Sequence, residues 1–79
     1  MTRNNVHAII DTLPWNITMS VLRLAKKWSI SEAAKRCSTN YRTYWSWETG
    51  KNKPIKVNRQ IISNVYGIPE NELFGEEGG

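Results

Sequence analysis

Cysteine is almost missing from this sequence: Cys37 is the only one, so no disulfide can form within the chain. Histidine is as scarce. His7 stands alone, and a zinc site needs several Cys or His ligands. Neither a metal nor a cofactor is therefore expected. Long apolar runs are missing as well. The longest, Ala8-Ile9-Ile10, is three residues, against the roughly 20 that cross a bilayer. No export signal is seen, and one free cysteine suits a reducing cytoplasm. The chain offers no paired carboxylate site, no His with a partner and no phosphate-binding glycine loop, so an enzyme is not expected.

Acidic residues are thin through the middle. From Arg23 to Arg59, ten Lys and Arg are opposed only by Glu32 and Glu48, a net +8 inside an overall +4. The end reverses this, with Glu70, Glu72, Glu76 and Glu77 and no base after them. A basic body of this kind is either a solvated face or the footprint of a polyanion partner. With 79 residues the chain makes one domain. Its core is thin, burying roughly 60% of the unfolded surface. Helix packing must hold it together, helped by dimerisation if a second copy binds.

The pattern along the chain is helical. Val6, Ala8, Ile9 and Ile10 are apolar, and Thr12-Leu13-Pro14-Trp15-Asn16 reads as a turn. From Thr18, with Thr18 or Asn16 as cap, Met19, Val21, Leu22, Leu24, Ala25 and Trp28 form one apolar stripe, with Arg23, Lys26 and Lys27 opposite. Ser29 and Glu32 have capping-box spacing at the start of a second helix, in which Ala33, Ala34 and Cys37 fall at core positions. Ser38-Thr39-Asn40 breaks it, since short polar side chains compete for backbone hydrogen bonds. A third helix runs over 40–48, with Asn40 as N-cap and Gly50 as its stop. Lys51-Asn52-Lys53-Pro54 is a basic loop. Val57, Ile61, Ile62 and Val65 mark a fourth helix ended by Gly67, and Pro69 opens a fifth carrying Leu73 and Phe74. Residues 76–79 should fray.

Two short helices joined by a tight turn suggest a helix-turn-helix. The run Ser29 to Pro54 resembles the phage repressor and Cro family, the xenobiotic-response-element type of transcriptional regulator. Three pieces carry the resemblance. Ala34 falls where the family keeps a small residue at the helix crossing. Trp47-Glu48-Thr49-Gly50-Lys51-Asn52-Lys53-Pro54 looks like its aromatic-Glu-x-Gly-Lys-x-x-Pro ending, and Tyr66-Gly67-Ile68-Pro69-Glu70-Asn71-Glu72-Leu73-Phe74 like its closing turn and last helix. Ile30 departs from the pattern, standing where the family often has a phosphate-contacting glutamine. The resemblance implies an all-α, compact five-helix lambda-repressor-like DNA-binding domain over 19–75. Residues 1–18 would form an N-terminal extension and 76–79 a disordered tail. It implies a regulator in the cytoplasm of a bacterial or phage-infected cell.

The expected site follows from the third helix. With Tyr44 and Trp47 turned inward, Tyr41, Arg42, Trp45 and Ser46 face outward, the positions that meet the major groove in the family. Arg42 suits a bidentate contact to guanine. Asn40, Thr43, Lys51, Asn52 and Lys53 are candidates for the DNA backbone. Glu48 is expected to brace the domain against a nearby base. Lys35 and Arg36 read as a solvated face, and Cys37 as a small core residue. The partners expected are double-stranded DNA and a second copy of the chain on an operator. Tyr41 and Trp45 leave an alternative open. Exposed aromatics anchor protein interfaces, so the same fold would also serve as a protein-interaction module that modulates another phage repressor.

Overall fold

The computed structural model describes residues 13–75. The readings placed on 1–12, His7 among them, and on the tail 76–79 lie outside the described residues. The protein is all-α, with five helices and no strand among the described residues: α1 (Trp15–Ala25), α2 (Ile30–Arg36), α3 (Tyr41–Glu48), α4 (Lys56–Tyr66) and α5 (Glu70–Phe74). No helix among the described residues is long and apolar enough to cross a membrane.

Helix α1 begins at Trp15, earlier than its apolar pattern suggests, and neither Asn16 nor Thr18 caps it. Pro14 occupies the N-cap with φ −61° and ψ 152°. Its carbonyl accepts both the backbone N–H of Thr18 (3.0 Å) and the Thr18 hydroxyl (3.1 Å). Trp15 to Thr18 thus belong to the helix rather than to an arm. The orientation of α1 is a second correction. Met19 is fully buried and Leu22 half-buried, but Val21 and Leu24 are exposed, while Arg23 turns inward. The helix closes through Lys27, held at φ 62°, which lets the Trp28 N–H reach the Arg23 carbonyl at 3.2 Å.

Only half of the expected capping box forms at α2. The Ser29 hydroxyl accepts from the Glu32 N–H (3.0 Å), but the Glu32 carboxylate points forward and accepts from Arg36 Nε (2.8 Å) instead of reaching back. Arg36 also lies over the Trp28 ring, 4.5 Å from its centroid, and Lys26 sits 5.5 Å from the same ring. Arg36 is therefore engaged, not merely solvated. Ser38 takes φ 59° at the end of α2, and the Thr39 N–H bonds back to the Ala34 carbonyl at 2.9 Å.

The core gathers one or two residues from each helix, with Cys37 from the turn after α2: Met19, Ala33, Ala34, Cys37, Tyr44, Trp47, Ile62, Tyr66, Leu73 and Phe74. Trp15 stacks at a tilt on Phe74 and Trp28 on Tyr66, both at 5.8 Å between centroids. The side chains of Ala33 and Ala34 are small enough to let α2 press directly against α3. Ile30 packs half-buried on the core. Gly67 ends α4 in the left-handed region (φ 71°), while Pro69 sits at the N-cap of α5 rather than inside its first turn. Val57 on α4, expected on the apolar face, is exposed.

Candidate functional site

The α2–turn–α3 unit presents one helix outward. Helix α3 has only eight residues, too few to persist alone in water. Its start is fixed by Asn40, whose Oδ1 accepts the Thr43 N–H at 2.8 Å. Its inner face is fixed by packing: Tyr44 is fully buried and Trp47 nearly so, and their rings meet edge-on at 5.8 Å. Tyr41, Arg42 and Trp45 are left on the solvent side, with Tyr41 54% and Trp45 42% exposed. The Arg42 guanidinium makes no hydrogen bond or ion pair among the described residues.

Ser46 does not join them. It is 8% exposed, and its hydroxyl donates to the Thr43 carbonyl at 2.7 Å. Its own carbonyl accepts from the Thr49 hydroxyl and the Asn52 N–H, both at 3.2 Å. The i+4 spacing places Ser46 on the same side of α3 as Arg42, but its bonds to Thr43, Thr49 and Asn52 hold it down against the helix and the following loop. Thr43 is half-buried and Asn40 is exposed with its oxygen committed to the cap.

The loop after α3 is anchored at both ends. Gly50 turns the chain at φ 78°, and the Asn52 N–H holds it to α3. Pro54 is buried, and its carbonyl accepts from Arg59 Nη1 at 2.8 Å. Lys51, Asn52 and Lys53 are exposed between these anchors. Three of the acids on the body are engaged elsewhere. Glu48 is buried, Glu32 pairs with Arg36, and Glu70 pairs with Arg59 (3.2 Å) and Lys56 (3.7 Å). An exposed cationic and aromatic face with fixed backbone is suited to an anionic polymer that also offers flat or apolar groups.

Behind α3 lies a polar brace. Glu48 accepts from Arg23 through both carboxylate oxygens, Nε to Oε2 at 2.7 Å and Nη2 to Oε1 at 3.1 Å, and from the Ser20 hydroxyl at 2.7 Å. Asn16 Nδ2 donates to the Glu48 carbonyl at 3.1 Å, and Arg23 Nη1 to the Trp28 carbonyl at 2.9 Å. Asn16, Ser20 and Arg23 recur at i, i+4 and i+7, one polar row of α1 aimed at one residue of α3. The hydrogen bond to Glu48 raises the Arg23 pKa, so the guanidinium stays charged. Beside it the Tyr44 and Tyr66 hydroxyls share a 2.6 Å hydrogen bond. Burial, then the hydrogen bonds to Tyr66 and Glu48, push the Tyr44 phenol far above its ordinary range. Burial pushes Tyr66 up to about 12. Burial also raises the Cys37 thiol to about 11, which leaves it unreactive.

Sequence reasoning located Glu48 but not its partners. The signal was the polar row itself, since a buried carboxylate demands donors from whichever helix covers it. No family model, curated protein or solved structure matches the chain.

Proposed function

We propose that this chain is a sequence-specific duplex-DNA-binding transcriptional regulator of Cro and repressor type. In this reading α2, the Cys37–Asn40 turn and α3 form a helix-turn-helix, and α3 lies in the major groove. One observation carries it. Helix α3 is clamped to the body by Tyr44, Trp47 and Glu48 while Tyr41, Arg42 and Trp45 point away from it, followed directly by the anchored Lys51–Lys53 loop. Arg42 reads a guanine edge, and the loop grips phosphates. A helix this short spans few base pairs, so two copies bind a two-fold operator.

The test is a duplex titration at several salt concentrations, with selection of bound sequences from a random pool. Affinity should fall steeply as salt rises, because phosphate contacts release counterions. Arg42→Ala should flatten base preference at one position of the selected site, at about 1–3 kcal/mol of lost discrimination. Lys51→Ala should weaken all sequences alike and lower the salt slope by about 1. Binding without salt dependence refutes the reading.

The exposure of Tyr41 and Trp45 favours a second reading, a protein partner such as another repressor docking on the same face. It wins if the protein binds no duplex at moderate salt and binds a purified repressor through these two rings.

A further inference from the structure

The outward face of α3 is poor in hydrogen-bonding readers and rich in aromatic surface. Ser46, the one small polar side chain expected there, is buried and bonded to Thr43. Arg42 remains, flanked by Tyr41 and Trp45 at i−1 and i+3. Tyr41 and Trp45, four apart, share one side of the helix. They are separated by about 6 Å along its axis, somewhat less than two base-pair steps of about 3.4 Å. The Tyr41 hydroxyl and the Trp45 indole N–H can reach phosphates, but the ring faces gain little from phosphates or polar base edges. The major groove shows one strongly apolar group, the C5 methyl of thymine.

Resting on the DNA-binding reading above, we infer that Tyr41 and Trp45 make α3 a reader of thymine methyl groups beside the base pair that Arg42 contacts. Specificity then comes from one charged hydrogen-bonding contact and two apolar ones, rather than from a row of polar side chains. Both rings stand out from a helix whose inner face is locked, so they are presented without rearrangement of the fold.

The experiment takes a duplex selected by the full chain from a random pool and remakes it with uracil at every thymine, which removes the methyl groups and leaves the hydrogen-bonding edges. Each contacted thymine should cost about fourfold in affinity, the change expected for burying one methyl. Trp45→Ala and Tyr41→Ala should each bind more weakly and shrink the thymine-to-uracil ratio, and the double variant should bring it to one. Neither residue belongs to the core or packs against it, so the variants should stay folded, with the melting profile recorded for each. Equal binding of the thymine and uracil duplexes by the native chain overturns the inference while the DNA-binding reading stands. So does an unchanged ratio in the double variant. Unchanged duplex affinity in both variants also overturns it, and places the rings off the groove, as a protein partner would require. Failure to bind any duplex in a salt-dependent way overturns the inference together with the reading beneath it.

Discussion

Gly50 and Ser38 occupy the same region of backbone space, at φ 78° and φ 59°, but only one of them is suited to it. A side chain in the left-handed region costs about 1–2 kcal/mol. Gly50 also lies against Asn16: a Cβ there would stand 3.2 Å from Asn16 Nδ2, which is held in place by the Glu48 carbonyl. Gly67, at φ 71°, has open space around it. Gly67→Ala should therefore lose about 1 kcal/mol from backbone strain alone, and Gly50→Ala distinctly more. Urea denaturation of the two variants decides it, and equal losses would show that the Asn16 approach is harmless. Ser38→Gly should gain about 0.5–1 kcal/mol, the strain relieved less the entropy added to the unfolded chain. The break at Ser38 is legible in the sequence as a run of short polar residues. Its left-handed geometry is not, because serine gives no sign of it.

At the scale of helices, α3 depends on its cap and its inner face together. Asn40→Ala removes the acceptor for the Thr43 N–H and should cost about 1 kcal/mol, while Asn40→Asp should keep nearly all of it. An alanine variant as stable as the native chain in urea would mean that water caps α3 equally well. Both ends of α3 can be read from residues, since Asn40 and Gly50 are strong boundary signals. The face of α1 cannot. Val21 and Leu24 look inward by hydropathy and Arg23 outward, and the structure reverses them. Met19 anchors the buried row, and the adjacent Asn16–Ser20–Arg23 row is drawn in by a carboxylate on a different helix. Periodicity within one helix carries no record of a buried charge thirty residues away, so the pattern favours the wrong side. Val57 on α4 misleads for a related reason: its period is helical, but it stays more than half exposed.

For the whole molecule, the Arg23–Glu48 pair is the charged member of the polar tie between α1 and the presented helix. The two side chains are 13% and 5% exposed, so neither is well hydrated. Removing one partner strands the other, which costs about 3–5 kcal/mol at a fully buried pair and somewhat less here, where Arg23 keeps an edge in water. Glu48→Gln leaves Arg23 with the Trp28 carbonyl, deprives it of its counter-charge and turns one amide N–H₂ toward guanidinium or hydroxyl donors. In a domain of this size the total stability is only a few kcal/mol, and each one lost lowers the melting temperature by about 4–8 °C. Glu48→Gln should thus melt well over about 10 °C below the native chain, and Arg23→Met/Glu48→Leu, which removes both charges, should recover part of the loss. Calorimetry on the three proteins settles which force dominates. If the single variant melts within about 2 °C of native, the interior of this fold is wet enough to solvate a lone Arg23, and the orientation of α3 rests on Tyr44 and Trp47 alone. If the double variant is as stable as the native chain but selects duplexes less sharply, the pair acts in positioning α3 and contributes little to holding the core.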